Sequence, residues 1–482
     1  MRPRKDCTPH EADTWWRIET PHFVLRTNQS LEQARQTARL LEVYRMAMWA
    51  PWKQDGEPPI RADTVVLRSR EHWAELYDPR TPGFVQWAHT EVVIRMAADF
   101  GRLSDSSLLA HELTHFLSLF VLRNQPRWLA EGLARFMETA TLHDGDRRVE
   151  LGELPHDERV RMLTQGVLPL EELWAWDTHP PSREDLGRYY MSAWAWVHYL
   201  HNAHRASFAA FQQRLASGIA PAQAWREVFG QTPMTVAALK DYLEYARYSV
   251  YVLNLPQPPA PLSEGTLSAA EVHLLRARLR MSSPGVPPAQ QARLEAATRD
   301  VREALRHTPD SAEALALALR LLPAEAPERL TRARELAARA PEHPEAVLAV
   351  ADTLGLAPEH LREREALLRR AARQSPGDAS LQLALARTYL AMERPANAQA
   401  PALRALKLAP WSVEVLTTNA AVHSTLGHCE AALAAQHAAI GTLSERVAQE
   451  VRNQLLDTLA EYERKCAAGA VKAGGTPRGH GA

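Results

Sequence analysis

The sequence predicts an α+β domain followed by an all-α array of helical hairpins, and three observations carry that fold class. From Trp15 to about Tyr251, short β-branched runs mix with helix-like segments, whereas beyond that point Ala, Leu, Arg and Glu recur at helical spacing. Between the two textures lies NLPQPPAPLSEG, residues 254–265, whose four prolines remove backbone donors and hold the chain extended. In the second texture Pro309, Pro341, Pro376 and Pro410 recur 32, 35 and 34 residues apart, the period of stacked helix pairs. At 482 residues the chain is too long for one ordinary core.

Residues 1–14 are polar and charged, with basic residues at the start but no apolar run behind them, so a flexible start is expected, not a leader. The domain proper is expected over 15–253. HFVLRT (22–27), TVVLRS (64–69) and TEVVIRM (90–96) have strand length and β-branched content. Ser30 to Trp49 reads as a helix opened by a capping box of Ser30 with Gln33.

AHELTHFLSLF, residues 110–120, carries the chemistry. His111 and His115 stand four apart, so on a helix both imidazoles point the same way, as two ligands of a tetrahedral zinc must. Leu109, Leu113, Phe116 and Phe120 form a stripe nearly opposite, while Leu108 and Leu119 crowd the histidine flank. Such a helix suits the floor of a cleft. In PRWLAEGLARF, residues 126–136, Glu131 points away from the stripe of Leu129, Leu133 and Phe136, and Gly132 permits close helix contact. Taken alone, Glu131 reads as a solvated carboxylate paired with Arg135 one turn on. YYMSAWAWVHYL, residues 189–200, reads by itself as a core helix in which Tyr190 can stack on Trp194 and His198 is a satisfied core histidine.

The combination changes that reading. HELTH and, fifteen intervening residues later, the glutamate of W-L-A-E-G-L-A resemble the gluzincin metallopeptidases, most closely their peptidase MA-like branch, over roughly residues 15–250. The resemblance implies a zincin-like metallopeptidase domain acting on a peptide or protein substrate, with Zn2+ held by His111, His115 and Glu131. It further implies Glu112 as the catalytic carboxylate and Tyr190, with Tyr189 as substitute, facing the metal. Residues 90–96 would then be either the edge strand that pairs with an extended substrate or an interior strand. The G-x-M-E-N segment that aminopeptidases of the clan carry there is absent, so an endopeptidase is expected.

The second part, 266–465, resembles tetratricopeptide (TPR) repeats. Counted back from Pro410, Leu385, Ala386, Tyr389, Ala398 and Ala405 hold the packing positions, and Ala420, Ala432 and Ala439 hold them in the next unit. That implies a solenoid able to bind a protein partner. An inactive peptidase-like scaffold or adaptor is the alternative for the whole chain. Residues 466–482, poor in apolar side chains, are expected to be a disordered tail.

A formal net charge of -1 gives no broad field for nucleic acid or an anionic membrane. No stretch approaches a transmembrane span, so as written the chain reads as cytoplasmic, or exported if the true start lies upstream. Cys7, Cys429 and Cys466 form no CxxC pair, and neither a disulfide framework nor a thiolate site is expected. Phosphate-loop, dinucleotide and nucleophile-elbow motifs are absent from the sequence.

Overall fold

The computed structural model describes residues 13–52, 58–77, 83–88, 90–98, 105–122, 125–245, 248–282, 289–443 and 449–474. The chain forms two compact units, one of residues 1–87 with 92–326 and one of 88–91 with 327–482.

The first unit begins with β1 (Trp16–Glu19), β2 (Phe23–Thr27), α1 (Leu31–Trp49), β3 (Ala62–Leu67), α2 (Arg70–Ala74), β4 (Gly83–Ala88) and β5 (Glu91–Ala97). The helix pair α3 (Asp105–Val121) and α4 (Arg127–Met137) follows, then β6 (Thr141–His143) and β7 (Arg148–Leu151). Next come α5 (His156–Gln165), α6 (Leu170–Trp174), α7 (Leu186–Ala203), α8 (Arg205–Ala216), α9 (Pro221–Phe229) and α10 (Val236–Tyr245). The unit closes with β8 (Tyr251–Asn254), β9 (Ser263–Thr266), α11 (Ala269–Met281), α12 (Ala289–His307) and α13 (Ala312–Leu321).

Six strands form one sheet in the order β4-β5-β3-β2-β1-β9, and β6-β7-β8 form a second. The β2-β3 and β3-β5 pairs are parallel, which demands a crossover, and α1 supplies the first. Thr64, Val65, Val66 and Leu67 are all buried, so both faces of the larger sheet are covered. Val65 and Leu67 pack with Trp15, Trp73, Leu275 and Leu279 on one of them. The Ser30 capping box is present with both of its hydrogen bonds.

Several expectations change. The strand at 90–96 is interior, since β5 lies between β4 and β3, and β4 forms that end of the sheet. The prolines of 254–265 do not make a free linker. They connect two paired strands: β8 to β7, and β9 antiparallel to β1 in register from Trp16↔Thr266 to Glu19↔Ser263. The first unit accordingly runs past 253 to Ala326, because α11 buries Leu275 and Leu279 against the sheet. Of the expected flexible start, residues 1–12 lie outside the described residues, while Asp13 accepts a hydrogen bond from Asn28 and pairs with His72.

The second unit contains α14 (Arg329–Arg339), α15 (Pro344–Leu354), α16 (Leu361–Gln374), α17 (Ala379–Ala391), α18 (Pro395–Leu408), α19 (Val413–Thr425), α20 (Cys429–Thr442) and α21 (Gln449–Gly474). Pro341, Pro376 and Pro410 each fall in the turn that closes one helix and opens the next. Ala386, Ala398, Ala405, Ala420, Ala432 and Ala439 are completely buried where the helices cross. Without side-chain bulk there, neighbouring backbones approach closely, as an all-α solenoid requires. Buried Asn419 locks α19 to α18 by donating to the Ala402 carbonyl at 3.0 Å.

A disulfide joins Cys429 at the start of α20 to Cys466 on α21, contrary to the expectation that cysteine plays no part. The tail is likewise corrected. Cys466, the first residue of the expected tail, is held by this bond, and α21 extends to Gly474. Residues 475–482 lie outside the described residues. No helix among the described residues is long and apolar enough to cross a membrane.

Candidate metal centre

Two helices build the site. Leu109, Leu113 and Phe116 anchor α3 in the core, and Leu129, Leu133 and Phe136 anchor α4. The opposite faces are thereby turned toward each other. A Cβ added to Gly132 would lie 2.5 Å from the Ala193 carbonyl oxygen of α7, so only glycine lets α4 and α7 meet this closely.

His111 Nε2 and His115 Nε2 lie 3.1 Å apart, and Glu131 Oε2 lies 3.6 Å from the first and 3.4 Å from the second. Ligand atoms about 2.0–2.1 Å from a tetrahedral zinc are separated by roughly 3.3 Å, so this triangle has the size the ion needs. The donor set agrees, with two imidazole nitrogens and one carboxylate oxygen. Glu131 Oε2 is also buried with no hydrogen-bond partner, a cost that a cation would remove. The three residues therefore fit Zn2+.

Electrostatics points the same way. For Glu131, burial would raise the pKa, but the two imidazoles outweigh it and hold the carboxyl well below the usual range. Burial likewise works against charge on His111, yet the adjacent Glu131 carboxylate, the hydrogen-bonded Glu138 and the charge of Glu112 push its pKa up to about 10. Positive charge is demanded at this spot.

Glu112 faces the cluster from α3, 3% exposed, with its Oε2 buried and unpartnered. Burial pushes its pKa up, opposed by His111 and His115. The end strand β4 passes directly over it. A Cβ on Gly83 would lie 3.3 Å from Glu112 Cγ and 3.0 Å from the Arg95 carbonyl oxygen.

Tyr190, on α7, joins the group. Burial first, then the charge of Glu131, pushes its pKa up to about 12, while neighbouring Arg127 opposes. Its ring meets Trp176 edge-on at 5.3 Å, where stacking on Trp194 had been the competing expectation. Trp194 instead lies beneath the Arg135 guanidinium. Tyr189 is engaged elsewhere, donating to Glu172 at 2.9 Å. His198 is a satisfied core histidine, its Nδ1 accepting from Tyr242 at 2.7 Å and its Nε2 donating to the Gly152 carbonyl at 3.1 Å.

Two residues escaped the sequence reading. Glu138 pairs with His111 Nδ1 at 2.6 Å, fixing the tautomer that leaves Nε2 free for the ion. Glu138 also takes the Arg135 ion pair that had been assigned to Glu131. Its position seven residues after Glu131, two helical turns on, was the available signal. Arg127 lies 3.9 Å from Glu131 and over the Trp176 ring, and nothing in the residue pattern signals that stacking.

No family model matches the chain, and no curated protein matches it. Among solved structures it is similar to TTC0263, a thermophilic TPR protein of Thermus thermophilus, at 21% identity over 39% of this chain and 99% of that one, with a TM-score of 0.31. It is also similar to the MamA protein at 12% identity, over 36% and 91% of the two chains, with a TM-score of 0.27. A third similar structure is MamA 41-end from Desulfovibrio magneticus RS-1, at 14% identity over 41% and 97%, with a TM-score of 0.26. Likeness at that level carries no argument, and the helical-repeat description rests on the burial and spacing given above.

Proposed function

We propose that the first unit is a zinc-dependent peptidase of the gluzincin kind, with a zincin-like fold, and that the helical repeats of the second unit bind a protein partner. The observation that carries the first part is the triangle of His111 Nε2, His115 Nε2 and Glu131 Oε2, with edges of 3.1, 3.4 and 3.6 Å. Zinc in such a site supplies Lewis acidity to a scissile carbonyl and to the attacking water. Glu112 takes the proton of that water and returns it to the leaving amine, a role its burial and raised pKa favour. Tyr190, protonated at neutral pH, donates a hydrogen bond to the oxyanion. With β5 interior, the strand available to an extended substrate is β4, beside Glu112.

A second reading keeps the fold and drops the chemistry: an inactive peptidase-like scaffold whose helix pairs serve as the working surface. The alanine-packed helices α14 to α21 of the second unit favour it. Glu112→Gln separates the two. On the peptidase reading this variant keeps its zinc while hydrolysis of a peptide library or an unfolded protein falls about 10²–10⁴-fold. A wild-type chain that holds zinc yet shows no chelator-sensitive cleavage fits the scaffold instead. Full activity in the variant contradicts the peptidase mechanism.

A further inference from the structure

We propose that the first unit holds a second ligand site, separate from the metal centre, for a long-chain monocarboxylate. A cavity of about 700 Å3 lies among α3, α4, α7, α8 and β8. Val121, Leu122, Leu133, Phe136, Val197 and Phe208 form its inner wall, all buried. None of its lining residues belongs to the metal cluster, and on α4 Leu133 and Phe136 stand on the face turned away from Glu131.

Its chemistry is one-sided. Among the described residues no aspartate or glutamate lines the cavity, and Arg205, the first residue of α8, is its permanently charged group. The guanidinium lies over the Tyr251 ring, 5.1 Å from its centroid, with no carboxylate partner among the described residues. His201 beside it is held neutral, its pKa pushed down to about 4 by burial and by the Arg205 charge. It can therefore hydrogen-bond without adding charge.

Length then narrows the ligand. Lining residues on α8 run from Arg205 to Ala216, a reach of about 16 Å at 1.5 Å per residue, close to that of roughly a dozen methylenes. Near the other end Gln212 accepts a hydrogen bond from Trp52 Nε1 at 3.2 Å, spanning the wall. A neutral hydrocarbon would leave the guanidinium unused, whereas a carboxylate head meets it and places its chain along the apolar wall.

The test titrates the full chain with laurate below its micelle concentration, beside octanoate and dodecanol, reading heat or tryptophan fluorescence. Laurate should bind saturably at about one per chain, with affinity falling roughly threefold to fourfold per methylene removed. Dodecanol should bind about fivefold more weakly than laurate. Arg205→Glu, an exposed change, should abolish or invert that preference, and Ala209→Trp, which fills the groove, should remove binding of both. Each variant is checked for the parent's thermal midpoint and metal content. Should Ala209→Trp misfold, the headgroup preference in Arg205→Glu decides. Non-saturable uptake, partition into lipid vesicles in place of stoichiometric binding, or equal affinity for laurate and dodecanol in the parent overturns the proposal.

Discussion

Around α3 and α4, the carboxylates of Glu112, Glu131 and Glu138 crowd two imidazoles in a largely buried volume; where α17 to α20 cross, the interior is mostly alanine with leucine, valine and Tyr389 between. The first arrangement is costly unless something cationic occupies its centre, because buried carboxylates lose hydration that only charge or hydrogen bonds replace. The second, from α17 to α20, buries only neutral polar groups among its described residues, and Asn419 is satisfied there by donating to backbone carbonyls. It is stabilised by close backbone approach repeated many times, with each contact contributing little. The contrast teaches where single substitutions should act. Changes beside the cluster should alter ion binding and chemistry, and changes among the buried alanines of the repeats should alter stability without touching the ion.

The sharpest way to break that separation is the disulfide. Cys466→Ser frees a loop whose ends are 37 residues apart, which in the chain-entropy account costs up to about 4 kcal/mol. Thermal unfolding should show the loss in the second unit, while zinc content stays unchanged. A lowered zinc content would mean that the two regions are coupled. Dithiothreitol should reproduce the variant's behaviour by reducing the same bond.

Next in size is Gly132→Ala. Its methyl would meet the Ala193 carbonyl oxygen and Val197 at 2.5 Å, forcing α4 off α7 at a cost of about 1–3 kcal/mol. Because Glu131 is the preceding residue, bound zinc should fall with stability, as parallel calorimetry and metal analysis would reveal. Loss of stability with zinc fully retained would show that the triangle tolerates movement.

The smallest effect is in the pH response. His198 and His201 both have pKa values below the ordinary 6.5 because burial opposes their charge, His201 at about 4. The unfolded chain then binds more protons below 6.5, so both contributions are complete above that pH and fall as pH drops, that of His201 levelling off below about 4. His201→Asn should flatten that part of the melting-temperature profile. An unchanged slope would place the titration elsewhere.

How far the sequence reaches follows the same contrast. The histidine pair, the capping box at Ser30 and the repeat prolines were legible because each is a local pattern on one helix or in one turn. Glu131 became legible only with its motif, since its helix alone offers Arg135 as an equal partner, and the structure gives Arg135 to Glu138. β9 was hidden because SEGT has little strand character. It is held by main-chain pairing to Trp16–Glu19 and by the Arg35–Glu264 ion pair, both set by distant sequence. Its loss from view turned a packed connection into an apparent linker and placed the domain boundary too early.

The central claim is that three side chains from α3 and α4 share one ion, and metal analysis of the purified chain tests it most directly. The account predicts about one zinc per chain in the parent and none in His115→Ala, with both proteins folded. A folded parent without zinc, or a folded His115→Ala that keeps its full complement, would contradict it.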